Sequence, residues 1–383
     1  MSSHSAETLL YDQLTSRLAD YGPMRDLLGR VRYGSLPVSV RGPKSGFLSY
    51  LIARLSRDSR RPLFVIVPNE SETLAMEGDL RLFGVEAQTL PSWGTGAYAA
   101  PSENAPVWGQ RMRALADLHR GDASVILAPL RAVCLRMPAP DHSMQHLEVL
   151  EKGQTRDPQA LATRLSSMGY WRVPRVSVHG EFALRGEVLD VFLPGWDEAI
   201  RIVLDFDEIS EIRLFDPATQ ASLKRRDRVE LHPMREVLWD ETERENLRTL
   251  ALEAPELRPR REEFLAALET EDEPGPYWAA ASVSDGSSVF DYLSDDTRII
   301  LLDRQRISAG FEAYRKECET VFAQEHFRRA LPRPDRVLID LDRERERISA
   351  RSIWFETLAD AEDSSSLRFA CDPPRSFFGN VAY

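Results

Sequence analysis

Short apolar runs without polar interruption constrain this chain more than anything else in it. Leu63–Val67 reads Leu-Phe-Val-Ile-Val and is closed by Pro68. Successive side chains of a strand point to opposite faces, so five apolar residues in a row require cover on both sides. The runs at 124–128 (Ser-Val-Ile-Leu-Ala) and 297–303 (Thr-Arg-Ile-Ile-Leu-Leu-Asp) carry the same demand. Between the first two, Asn69 stands where a helix cap is needed and Glu72, three residues on, completes a capping box. Met76, Leu80 and Phe83 recur at helical spacing, and Gly84 supplies the stop. A further helix is expected over 111–118. This β-α-β-α-β rhythm predicts a parallel sheet flanked by helices, a doubly wound α/β domain whose first part spans 1–147.

The centre has a different texture. Asp157 before Pro158 caps a helix whose stripe is Leu161, Leu165 and Met168, with Gly169 ending it. Strand signals follow at 187–192, 200–206 and 211–215. In the second, Ile200, Ile202, Leu204 and Phe206 alternate with Arg201 and Asp205, the period-2 pattern of a half-buried antiparallel strand. Asp207-Glu208 is placed for the tight turn. A smaller α+β domain is therefore expected over 148–235. The run at 297–303 then returns to the first sheet, so 236–370 is read as an acidic connector plus the second part of the α/β domain. One domain is inserted within another. Residues 361–366 form a polar loop by composition, and 371–383 begin a linker toward a missing next domain.

At 383 residues the chain is too long for one ordinary domain, and its net charge of −12 excludes a uniformly basic nucleic-acid glove. The charge is uneven. Residues 156–185 hold five arginines against two acids, whereas 236–273 hold thirteen acids against five arginines. The acidic stretch reads as a solvated helical face or connector. No apolar run nears the roughly 18 residues that span a bilayer. The start, MSSHSAETLL, has no basic or apolar segment of a secretory signal, and three scattered cysteines make no disulfide framework. No membrane partner and a cytoplasmic location are expected.

Catalytic chemistry is hard to place. A phosphate-cradling loop after the first strand needs glycines, then Lys and a hydroxyl. The chain offers Gly42, Lys44, Ser45 and Gly46, but the two glycines are one residue too close and Phe47 stands where the Lys belongs. A magnesium site needs paired acids after a buried strand; Asp303 is there, and Arg304 replaces the second acid. Both halves of an ATPase site are eroded together, so Gly42, Lys44, Gly46 and Asp303 are expected not to bind nucleotide. His142 and His146 lack the Glu that a helical zinc-protease motif places between them. Cys134 reads as core, as do Trp93, Tyr98 and Trp108. No catalytic residue and no metal site are expected.

Three blocks carry a resemblance: Gly169-Tyr170-Trp171-Arg172-Val173, the run Gly-Glu-Phe-Ala-Leu-Arg-Gly-Glu-Val-Leu-Asp-Val-Phe at 180–192, and Phe-Asp-Pro-Ala-Thr-Gln at 215–220. With 90–93 (Leu-Pro-Ser-Trp), Pro101-Ser102, 110–112 (Gln-Arg-Met) and 152–154 (Lys-Gly-Gln), they resemble the UvrB-homology module of the bacterial transcription-repair coupling factors. UvrB shares the central block but keeps an intact Walker A loop, an acid pair and an aromatic-rich β-hairpin, which this sequence lacks. The resemblance implies a RecA-like sheet split by the inserted domain and recruitment of UvrA in transcription-coupled nucleotide excision repair. It implies that RNA polymerase and double-stranded DNA are engaged through domains beyond this one. ATP and magnesium would belong to those translocase domains, with no cofactor here and no catalysis by this part alone. It assigns Arg172, Arg185 and Phe192 to UvrA binding. Phe192 is open between an exposed aromatic filling a partner's pocket and a core residue, and Arg185 between an interface and a local pair with Glu181 or Glu187. A UvrB-type ATP-dependent helicase subunit and a direct DNA-binding module are the alternatives.

Overall fold

The structure is a computed structural model that describes residues 3–93, 96–98, 105–270, 276–283, 286–356 and 366–371. Most of the polar loop at 361–366 and of the terminal stretch 371–383 lies outside these, as do Pro101 and Ser102. In chain order the strands are β1 (Val38–Arg41), β2 (Leu63–Val67), β3 (Gln88–Thr89), β4 (Val125–Pro129), β5 (Glu148–Glu151), β6 (Trp171–Arg172), β7 (Glu181–Arg185) and β8 (Val188–Val191). They continue with β9 (Ala199–Asp205), β10 (Glu208–Phe215), β11 (Ser222–Arg226), β12 (Arg228–Leu231), β13 (Arg298–Leu302), β14 (Ser352–Glu356) and β15 (Leu367–Arg368).

The uninterrupted apolar runs build a seven-stranded sheet in the order β15-β1-β14-β13-β2-β4-β3, with every recorded pairing parallel. The alternation of strand side chains divides each run between two cores. Phe64, Ile66, Ile126, Ala128, Ile299 and Leu301 enter one. Leu63, Val65, Val67, Val125, Leu127, Ile300 and Leu302 enter the other. The second core is closed by the helix Ser45–Ser59, through Tyr50, Leu51, Ile52 and Leu55. Strand β13 pairs with β2, so the run after the centre does rejoin the first sheet. The helix Glu70–Leu82 starts where the sequence predicts: the Asn69 side chain accepts from Glu72 N at 3.0 Å.

The centre folds as a six-stranded sheet, β11-β10-β9-β8-β7-β6, antiparallel except for the β6–β7 pair. Its inner face packs Leu189, Val191, Ile200, Ile202, Leu204, Ile212 and Leu214 against Leu161 and Leu165 of the helix Pro158–Ser167. Asp157 caps that helix, accepting from Gln159 N at 2.9 Å. The hairpin turn falls one residue earlier than expected. β9 ends at Asp205 and β10 begins at Glu208, which puts Phe206 at φ 55° with an exposed side chain.

The inserted sheet is seated on the helix Ala105–Arg120. A Cβ on Gly109 would lie 1.9 Å from Pro194 Cβ, so only glycine admits this approach. Arg113 lies over the Trp196 ring at 5.4 Å, Arg120 pairs with Glu230, and buried Arg111 pairs with buried Glu236. The acidic stretch after the insertion is a packed face rather than a loose tether. In the helices Glu241–Glu253 and Arg261–Thr270, Leu247, Leu250, Phe264 and Leu268 enter the first core while Glu241, Glu245, Glu263 and Glu269 stay outward. Trp93 and Trp108 meet edge to face at 5.7 Å, and Tyr98 is buried with its hydroxyl donating to Pro332 O at 2.7 Å.

Candidate functional site

Two places could carry function: the carboxyl edge of the parallel sheet and the outer face of the inserted one. At the first, Gly42 follows β1 and Asp303 follows β13, with β14 between those strands, so both turns open on the same edge. Ligands bind at such edges in open α/β sheets. Here the chain itself occupies the turn at Gly42. Gly42 takes φ 100°, and a Cβ there would lie 2.0 Å from Phe369 O. Phe369 N donates to Arg41 O at 2.8 Å, and β15 runs beside β1. Arg41 is further tied to Glu356 at 3.0 Å, and Phe47 packs against Tyr50 and Phe369.

Lys44 has extended backbone and caps the helix Ser45–Ser59 without a side-chain hydrogen bond, and Gly46 lies in its first turn. Asp303 is committed as a helix cap, accepting from Arg306 N at 3.2 Å with its own φ at 62°. Arg304, in the second acid's place, lies over Trp354 at 4.2 Å. The Gly42 turn is thus blocked by Phe369 and β15, while Lys44 and Ser45 at the helix N-terminus stay exposed. His142 pairs with Glu243 at 3.5 Å rather than joining a ligand set, and no group of three or more metal-ligating side chains occurs among the described residues. Cys134 is buried, and burial pushes its thiol pKa upward.

The outer face of the six-stranded sheet is different in kind. Alternation sends Leu189 and Val191 inward, so Asp190 faces outward on β8. It is nonetheless fully buried, because two arginines close over it. Arg201 forks onto the carboxylate, Nε to Oδ1 at 2.6 Å and Nη2 to Oδ2 at 2.8 Å. Arg185 Nη2 adds a third bond to Oδ2 at 2.6 Å. Bidentate, charge-assisted bonds of this kind are the strong ones, and the Asp190 bond is the main reason the Arg201 pKa is raised. One of the two sequence readings of Arg185 is a local pair with Glu181 or Glu187. Instead it reaches diagonally across the hairpin, because Val188 stands opposite it and Asp190 lies two positions on. Glu181 accepts from Ser177 N and Val178 N, and Glu187 from Phe206 N. Arg185 remains 47% exposed on its side chain.

Phe192 resolves against the exposed reading. Its ring is buried with Val176, Ala183, Ala199 and Phe215, and lies 4.0 Å from the His179 ring. Outward alternation alone would expose it, but the 173–179 segment, held down by Glu181, folds over that end of the face. Arg172 lies on a different face from Arg185. Trp171 is in register with Glu181 and Arg172 with Phe182. Residues in register share a face, so Trp171 lies on the side of Arg185 and Arg172 on the side of inward-facing Phe182. Both are exposed because β6 is an edge strand, and Trp171 is exposed to 75%. Sequence reasoning passed over Trp171; its signal, a tryptophan beside an Arg with no apolar alternation around it, is weak.

Comparison with known proteins bears on this second face. Residues 149–236 match the UvrB interaction domain. The chain is 22% identical over 359 residues to a transcription-repair-coupling factor of Borreliella burgdorferi, covering 90% of this chain and 30% of that protein. It is 32% identical over 230 residues to the Myxococcus xanthus transcription-repair-coupling factor, covering 57% of this chain and 19% of the relative. UvrABC system protein B of Edwardsiella ictaluri is 28% identical over 237 residues, covering 57% and 34%. The chain spans about a third or less of the length of these relatives. No helix among the described residues is long and apolar enough to cross a membrane. The fold is that of a RecA-like parallel sheet with an inserted antiparallel domain. By sequence, the chain is homologous to part of the transcription-repair-coupling factors and is built around a segment, 149–236, that matches the UvrB interaction domain.

Proposed function

We propose that this chain recruits UvrA, using the outer face of the six-stranded sheet as a protein-docking surface in transcription-coupled nucleotide excision repair. The observation that carries the reading is the Asp190 clamp. It holds Arg185 half-exposed on the face that also carries exposed Trp171, at the other end of β7, within the segment that matches the UvrB interaction domain. Arg and Trp are enriched at interface hot spots, and a pre-organised guanidinium loses little entropy on binding a carboxylate. Arg172 contributes from the strand's other side, and Phe192 supports the surface from beneath. In this reading RNA polymerase and double-stranded DNA are handled by other parts of a longer protein. In the same reading the edge at Gly42 and Asp303 neither binds nor hydrolyses ATP; Phe369 O at the Gly42 turn and Arg304 in the second acid's place favour this over a UvrB-type helicase subunit.

The test is a titration of UvrA against the chain and its Arg172→Ala, Arg185→Ala double variant. If Arg185 is a hot spot, the double variant loses about 2 kcal/mol or more, roughly thirtyfold in affinity, with an unchanged melting curve because Arg201 still holds Asp190. Equal affinity with an intact melting curve defeats the proposal.

A further inference from the structure

The strand registers reveal a feature that no local stretch of sequence displays. One transverse row runs across the outer face: Ala183 opposite Asp190, Asp190 opposite Arg201, Arg201 opposite Arg213, and Arg213 opposite Arg225. Three arginines therefore stand side by side on β9, β10 and β11, one strand spacing of about 4.8 Å apart. Like charges directly opposite one another destabilise a sheet, so this ladder needs counter-charge.

The counter-charge is used up along the row. Arg201 has Asp190 and also donates to Gln220 Oε1 at 3.0 Å. Arg213 has Glu211 Oε2 only at 3.8 Å, beyond hydrogen-bonding reach, and its Nε is buried without an acceptor. Arg225 pairs with the other oxygen of Glu211 at 3.0 Å, yet its side chain is 85% exposed. One carboxylate thus serves two guanidiniums, and ten potential donors outnumber its lone pairs. The ladder begins satisfied at Asp190 and ends open at Arg225 on the β11 edge.

We infer that the Arg201–Arg213–Arg225 ladder extends the docking face toward the β11 edge and receives a carboxylate-rich protein surface of UvrA; this rests on the UvrA reading above. Charge complementarity identifies the occupant as acidic. A protein surface fits better than a nucleic-acid backbone because the same face carries Asp205 and Glu208, opposite each other at the end of the β9–β10 hairpin. A continuous phosphate track would meet those acids, whereas a protein surface can place basic groups there. Arg213 adds its charge to the patch through a side chain that is 30% exposed.

The experiment compares the whole chain with Arg213→Ala, Arg225→Ala and with Arg225→Glu, measuring UvrA affinity at low and at 0.3 M salt, roughly, and affinity for a labelled duplex DNA. Arg225 is almost fully exposed, so the charge-reversed variant keeps its melting curve. Expected are a loss of about tenfold or more in UvrA affinity for the double variant, a larger loss for Arg225→Glu, and a weaker salt dependence in both. UvrA affinity unchanged in these variants while Arg185→Ala still weakens it overturns the ladder and leaves the UvrA reading standing. No binding of UvrA by the unaltered chain overturns both. Loss of duplex binding with unchanged UvrA affinity overturns it in favour of a nucleic-acid surface.

Discussion

The two sheets of this molecule treat their exposed chemistry in opposite ways. The seven-stranded sheet is covered on both faces, and at its carboxyl edge β15 and Phe369 occupy the turn at Gly42. The six-stranded sheet is covered on one face by the helix Pro158–Ser167 and carries on the other Arg185 and Arg201 around buried Asp190, and Arg213 and Arg225 around Glu211. The parallel sheet is built as a scaffold, and in the proposed reading the inserted sheet presents its charge to a partner. The difference follows from topology: parallel strands joined by crossover helices bury both faces, whereas antiparallel hairpins can leave one face free.

The contrast can be broken most strongly at Asp190. Removing a buried carboxylate strands two guanidiniums, and Asp190→Ala should destabilise the inserted sheet by about 3 kcal/mol, read as a fall in urea midpoint. Asp190→Ala with unchanged stability contradicts the clamp. Next is the seat between the two sheets. Any side chain at 109 must displace Pro194, whose Cβ and backbone carbonyl lie 1.9 and 2.4 Å from the Cβ position. Gly109→Val should cost about 2 kcal/mol and loosen the inserted sheet from the helix Ala105–Arg120, which limited proteolysis near 194–197 would detect. At the carboxyl edge, Gly42→Ala forces a side chain into φ 100° against Phe369 O and should destabilise by about 1–2 kcal/mol. Calorimetry of the unaltered chain should give no ATP binding, and micromolar affinity abolished by Lys44→Ala would contradict the reading of that edge. The smallest effect belongs to Trp171→Ala. Stability should change by no more than about 0.5 kcal/mol, while UvrA affinity falls severalfold.

Much of the parallel sheet was legible because its signal is local. Five apolar residues in succession, as in Leu63–Val67, can be satisfied only between two cores, and 124–128 and 297–303 obey the same rule. The strand β14 (Ser-Ile-Trp-Phe-Glu) was missed because its apolar stretch is short and follows an Arg-rich helix. The outer face of the six-stranded sheet was only half legible. Period-2 alternation marked Arg201 as outward, but the Asp190 clamp and the arginine ladder arise from register between strands separated in sequence by turns of differing length. The fate of Phe192 depended on a covering segment, 173–179, held by Glu181; alternation could not foresee that cover. Likewise, the erosion at Phe47 and Arg304 could be read from spacing, whereas the occupation of the Gly42 turn by Phe369, more than three hundred residues away in sequence, could not.

Amide hydrogen exchange of the chain with and without UvrA tests the central claim most directly, since it reports both sheets in one measurement. Protection on binding should appear in β7 through β11, Glu181–Arg185 to Ser222–Arg226, and around Trp171, with no change at 42–47 or at 303–306. Protection at the Gly42 and Asp303 edge, with the six-stranded sheet unaffected, would contradict the account.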